Sequence, residues 1–298
     1  MRFKYLLLFI CCINGVFISC KEKNSSKPTV SVTILPQKFL IEQIAGDYLQ
    51  VNVLIPPGMN PTTCDLNIAQ LQKLYDSDLC FTIGHLPFEQ VHLYPVLQQR
   101  PEIQVINHSK DLQLLQGSCG CSHHHEEHEH ESIDPHIWLS PKVVRNMATQ
   151  IFKTLSTKYP AQQQNFQQNY NQLIVAIDSL LLKAEKLFST YPQRSFLIYH
   201  PALTYFAADY GLEQIAIEEE GKEPNPNHLK TVIDQARAQK VRLIFIQQQF
   251  DIQNAQAIAR EIDGKIIPID PLAENWLAEM QKLLEVFQAE LSNTPEPL

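Results

Sequence analysis

The chain has 298 residues, 44% of them hydrophobic and 19% charged, which is enough to fold two domains around a sizeable core and too apolar for a disordered protein. Its 24 Lys and Arg against 32 Asp and Glu leave a net charge of −8. That balance excludes a phosphate-backbone binder, because such a site shows as clustered cations.

Arg2 and Lys4 precede an apolar run from Tyr5 to Ile18, and the polar stretch Lys21 to Lys27 follows. A basic start, a short apolar centre and a small residue before the break read as a secretory signal over residues 1–19. Ser19-Cys20 resembles a bacterial lipobox. This predicts a lipid on Cys20 and a tether over residues 20–28, held at the membrane by several acyl chains where one would not suffice. Without Arg2 and Lys4 the net charge becomes −10, which suits a body that attracts cations. Cys64, Cys80, Cys119 and Cys121 remain beyond the leader, too few to form a disulfide framework in a body of this size.

From Thr29 onward, short β-rich runs alternate with helical stretches. Strands are predicted at Val30 to Leu35, Val51 to Ile55, Leu79 to Ile83 and Ile103 to Ile106. Helices are predicted between them at Lys38 to Ala45, Ile68 to Asp76 and Gln90 to Gln99. Two helices follow, Lys142 to Lys158 and the long Ala161 to Phe188, interrupted at Pro160. The alternation then resumes: strands at Ser195 to Tyr199, Gln214 to Glu218, Val241 to Ile246 and Lys265 to Ile269, with helices at Pro201 to Tyr210, His228 to Ala238 and Asn254 to Ile262. The expected fold class is α/β. Two parallel-sheet lobes, 29–141 and 191–298, are joined by bridging helices over 142–190. Ligands of such sheets bind beyond the carboxyl ends of the strands. No phosphate-cradling glycine motif accompanies the nine glycines, so nucleotide chemistry has no equipment here.

Chemistry-bearing side chains collect at those ends. His136 sits in Asp134-Pro135-His136-Ile137-Trp138-Leu139-Ser140-Pro141, ahead of the first bridging helix. His200 follows the strand Ser195 to Tyr199, and Asp270 follows Lys265 to Ile269. Imidazole and carboxylate are the N and O donors of a divalent transition metal. The acidic run Glu218-Glu219-Glu220 lies near the same mouth, as a solvated face or as carboxylates that fix a histidine tautomer. His92, His108 and His228 have no partners nearby in sequence and read as ordinary core or loop residues.

Pro56-Pro57-Gly58-Met59-Asn60-Pro61, the His136 motif, His200-Pro201-Ala202 through Tyr210-Gly211-Leu212, and Ile269-Asp270-Pro271-Leu272 occur in this order. Together they resemble the zinc/manganese group of ABC-transporter solute-binding proteins over nearly the whole mature chain. The resemblance implies a metal held between two α/β lobes, with the second, third and fourth ligands on His136, His200 and Asp270. Histidine at the third position resembles the zinc branch, whereas manganese importers tend to carry a carboxylate there. The chain departs from the pattern at the first ligand, where Thr62 stands in place of histidine. His85, just past the strand Leu79 to Ile83, is the expected replacement, and Cys64 is the other candidate. Cys64 reads equally as a small buried group or a partner for Cys80. The segment Cys119 to Glu131 holds His123, His124, His125, His128 and His130 among glutamates. It is similar to the His-rich loop of zinc-type members, with an expected role in weak collection, delivery or sensing of metal.

The leading expectation is therefore a monomeric, lipid-anchored receptor in the periplasm or cell envelope that captures Zn2+, with Mn2+ as the alternative. It would hand the ion to the membrane permease and ATPase of an importer without making or breaking a bond. A zinc hydrolase with three protein ligands and a bound water is a second expectation, although no His-Glu-x-x-His helix or assignable general base is present. A third is metal storage or host adhesion through the His-rich loop.

Overall fold

The computed structural model describes residues 27–59, 61, 64, 67–117, 133–219 and 221–293. Cys20, Thr62, Cys119, Cys121 and the histidines from 123 to 130 lie outside this set.

The amino-terminal lobe runs β1 (Thr29–Val32), α1 (Leu35–Ala45), β2 (Gln50–Val53), α2 (Ile68–Tyr75), β3 (Ser77–Thr82), α3 (Tyr94–Gln98) and β4 (Gln104–Asn107). Its strands form a parallel sheet in the order β2-β1-β3-β4. Pro141–Lys158 (α4) and Gln163–Thr190 (α5) follow. The carboxyl-terminal lobe runs β5 (Ser195–Ile198), α6 (Thr204–Tyr210), β6 (Glu213–Ala216), α7 (Pro226–Ala238), β7 (Leu243–Gln247), α8 (Ile252–Ile262), β8 (Lys265–Ile269) and α9 (Trp276–Asn293). Its sheet is again parallel, in the matching order β6-β5-β7-β8. Pro268 fits in β8 because that strand is an edge, where a missing N–H costs no ladder bond. Among the described residues no helix is long and apolar enough to cross a membrane.

Local chemistry sets the helix starts. Asn67 and Gln70 exchange side-chain and backbone bonds in a capping box at α2. Asn225 accepts from Asn227 and His228 at α7, and Asp251 from Gln253 at α8, so both helices begin earlier than their apolar pattern suggests. The helix expected over Gln90 to Gln99 instead opens with a π turn, Glu89–Leu93, before α3. Pro95 has no N–H to give to an i−4 carbonyl, and the wider turn accommodates that loss. α9, with Trp276, Met280, Leu283 and Phe287 buried, is an addition to the expected elements.

The lobes are not independent globules. One apolar cluster runs from Val30 and Phe81 through Ile151 in α4 and Ile177 in α5 to Phe196, Phe245 and Phe287. The bridging helices therefore serve as core for both sheets. Burying large side chains of this kind is worth about 1.5–3 kcal/mol each, so rotating one lobe against the other has to preserve most of this seam.

Candidate metal centre

His136 and His200 come from segments far apart in sequence and meet beyond the sheet edges. Their ring centres are 5.2 Å apart, with the planes at 69°. The rings are fixed in the same manner. His136 Nδ1 donates to Asp134 Oδ1 at 2.8 Å, and the His136 amide donates to the same oxygen at 2.7 Å. His200 Nδ1 donates to Glu218 Oε1 at 2.8 Å. Asp134 and Glu218 are 1% and 5% exposed, and buried carboxylates must be paired. With Nδ1 as the donor, the neutral form of either ring has its lone pair on Nε2, the tautomer a metal ion requires.

Burial pushes the Asp134 carboxyl up, but the charge and hydrogen bonds of His136 and the Thr204 hydroxyl outweigh it and hold the group below the usual range. Gln247 grips the backbone of His200 from both sides, donating to its carbonyl at 2.7 Å and accepting from its amide at 3.3 Å. Phe250 stacks on His200 at 5.8 Å and on Tyr199 at 4.8 Å, and Trp138 packs against His136 at 5.1 Å. Aromatic walls on both sides limit solvent access to the pair.

The structure brings together only these two of the expected ligands. Among the described residues no three His, Cys, Asp or Glu side chains lie close enough to hold an ion jointly. Asp270 is exposed, and its carboxylate is engaged locally, accepting the Leu272 amide at 3.0 Å. Its segment still lies beside the pair, since Trp138 donates its indole N–H to the Pro271 carbonyl at 2.7 Å. Trp276 returns a matching bond to the Trp138 carbonyl at 2.7 Å.

His85 lies on the other lobe, in the loop after β3, and partial burial lowers its pKa. That loop is tightly specified. Gly84 has φ +114°, and a Cβ there would stand 2.1 Å from Ser109 Oγ. The fully buried Glu89 accepts from Ile83 N at 2.7 Å, Gly84 N at 2.6 Å and Thr33 Oγ1 at 2.5 Å. Desolvation raises its carboxyl to about 7 against the lowering effect of those donors. Cys64, the other candidate for the first ligand, is buried within the apolar core, and both it and Cys80 are thiols.

The family model of the periplasmic zinc-uptake complex component A, ZnuA, matches residues 30–291. The chain belongs to that family. It is 26% identical to the zinc-binding lipoprotein AdcA of Streptococcus pneumoniae over 96% of this chain and 60% of that protein, so it spans less than two thirds of that relative's length. The high-affinity zinc uptake system protein ZnuA of Bacillus subtilis is likewise 26% identical, over 87% of this chain and 83% of that protein. A crystal structure of ZnuA superposes with a TM-score of 0.78 at 30% identity, covering 89% of this chain and 99% of the other. A ZnuA deletion mutant with zinc bound has the same score and identity, over 91% and 100%. The family is named for a component of a periplasmic zinc-uptake complex, and the chain shares its fold with the ZnuA crystal structure.

Proposed function

We propose that this protein captures Zn2+ outside the cytoplasmic membrane and delivers it to the permease and ATPase of an ABC importer. His136 and His200 are the central ligands, and Asp270 and His85 complete the set. The observation that carries this reading is the spacing of the two rings. Zinc–nitrogen bonds of about 2.0–2.1 Å at a near-tetrahedral angle put two imidazole centres roughly 5 Å apart, and the pair here stands at 5.2 Å. With Nδ1 committed to a carboxylate in both rings, Nε2 is the nitrogen each would offer to zinc.

Asp270 joins by releasing its bond to the Leu272 amide, and His85 by an approach of the β3 loop. Zinc is favoured over manganese because two imidazoles supply the softer donors. Cys20 anchors the receptor through lipid, the body acts as a monomer, and the His-rich segment at 119–131 collects metal weakly for delivery. Lobes 29–141 and 191–298 with the bridge at 142–190 form the working division of the chain.

Isothermal titration of the metal-free protein with zinc and manganese tests this reading. Tight 1:1 zinc binding that His136→Ala and His200→Ala each abolish is the expected result. Unchanged zinc affinity in both variants refutes it.

A further inference from the structure

The hydrogen bonds behind His136 form a directed chain that starts at an edge strand of the opposite lobe. On β6, Gln214 accepts the Leu203 amide on Oε1 at 3.0 Å, which fixes the orientation of its amide group. Its Nε2 is thereby aimed at Thr204 Oγ1, to which it donates at 2.5 Å. With its oxygen accepting from Gln214, the hydroxyl sends its single proton to Asp134 Oδ2, also at 2.5 Å; the Pro201 carbonyl is a distant 3.4 Å. The other oxygen of Asp134 holds His136 at both Nδ1 and the backbone amide. Tyr205, next to Thr204, adds a bond from its hydroxyl to the Asp134 carbonyl at 3.0 Å and accepts the Leu115 amide at 3.1 Å.

We propose that Thr204 and Gln214 are positioning residues for metal capture, which orient His136 through Asp134 from the lobe that carries His200. The inference rests on the metal-binding reading above and extends it. His136 precedes the bridging helices in sequence but takes its orientation from α6 and β6. Thr204 opens α6 four residues beyond His200 on the same stretch of chain, so both histidines are set by a single frame before an ion arrives. Half of the site is preorganised, and the reorganisation on binding falls to the Asp270 and His85 segments. Asp134 accepts from Thr204 on one oxygen and from His136 on the other, so the chain fixes where the carboxylate points without adding to its basicity. Neither Thr204 nor Gln214 touches the ion.

The test compares zinc affinity of the full chain, by competition with a chromophoric chelator, in wild type, Thr204→Val, Thr204→Ser and Gln214→Leu. It also follows the ring 15N signals of His136 in the metal-free protein. Partners of metal-ligating histidines typically carry 10–100-fold in affinity. Thr204→Val, one bond further out, is expected near the lower end at about 10-fold, with Gln214→Leu losing less in the same direction. Thr204→Ser, which restores the hydroxyl, should bind as wild type. In Thr204→Val the His136 signals should shift from the Nδ1-protonated form toward a mixture, a change that a merely structural loss would not produce. Wild-type affinity and ring signals in Thr204→Val overturn the proposal, as does a loss that Thr204→Ser fails to restore. If His136→Ala also binds zinc as wild type, the metal-binding reading itself has failed; if His136→Ala abolishes binding while Thr204→Val is silent, only this inference has.

Discussion

The imidazoles of His136 and His200 meet edge to face, 5.2 Å between centres, each held at Nδ1 by a buried carboxylate 2.8 Å away. Two polar rings placed this closely in a largely buried site gain little from one another without a shared cation. Their common feature is an Nδ1 committed to a carboxylate, which makes Nε2 the nitrogen each would offer to one.

Removal of either ring should therefore cost more zinc affinity than the roughly 10–100-fold carried by outer partners. Deletion of residues 119–131 should leave tight binding intact. Titration calorimetry on His136→Ala, His200→Ala and the deletion separates a cleft site from capture by the His-rich segment, which predicts the reverse pattern.

Glu218→Gln keeps the size of the side chain but removes the charge that fixes His200. A loss of about 10–100-fold in zinc affinity is expected, with little change in melting temperature. Equal affinity in the variant would show that Glu218 is only a structural neighbour.

The missing first ligand gives a paired experiment. His85→Ala should weaken zinc binding, and Thr62→His should strengthen it by restoring the residue the family pattern carries there. Unaltered affinity in His85→Ala would remove His85 from the ligand set.

The His85 loop also has a backbone requirement. Gly84→Ala imposes a side chain at φ +114° and within 2.1 Å of Ser109 Oγ, a strain of about 1–3 kcal/mol. Chemical denaturation should register that loss, and an equally stable variant would mean the loop relaxes without difficulty.

Acid should destabilise the fold through His108. This ring is fully buried, stacked on Phe81 and bonded through Nδ1 to Gln150 at 2.7 Å. Desolvation lowers its pKa to about 4. The folded ring stays neutral where the unfolded chain, with a pKa near 6.5, takes up a proton. Its contribution is thus present above pH ~6.5 and is lost as the pH falls to about 4, by about 3 kcal/mol in all. His108→Phe keeps the stack and removes the titration, so its unfolding free energy should vary less over that range than the wild type's. Parallel pH curves for the two proteins would contradict this.

Much of the architecture was legible because a parallel sheet buries whole strands, and runs such as Leu243–Gln247 and Ser195–Ile198 announce themselves by continuous apolar character. Strand ends then located His200 and Asp270 without reference to contacts. Less visible were features that depend on a single bond. The π turn before α3 follows from the missing N–H of Pro95, and α7 and α8 gain a first turn from Asn225 and Asp251.

In the site, the acidic run near Glu218 was noticeable, but spacing alone could not choose which glutamate faces His200. Asp134 stood in the His136 motif with no role assigned. Gln247, Thr204 and Gln214 were missed altogether, because an uncharged side chain that orients a ligand across a sheet leaves no periodic trace. Asp270 is the opposite case. Its position at a strand end was correctly read, yet its carboxylate is turned to the Leu272 amide and stands outside the paired rings.

The central claim is that one ion joins the two histidines. Anomalous diffraction at the zinc absorption edge, from crystals grown with one equivalent of zinc, tests it most directly. The account predicts a single strong peak about 2.0–2.1 Å from Nε2 of both His136 and His200. A peak bonded to only one of these rings, or zinc confined to residues 119–131, would contradict it.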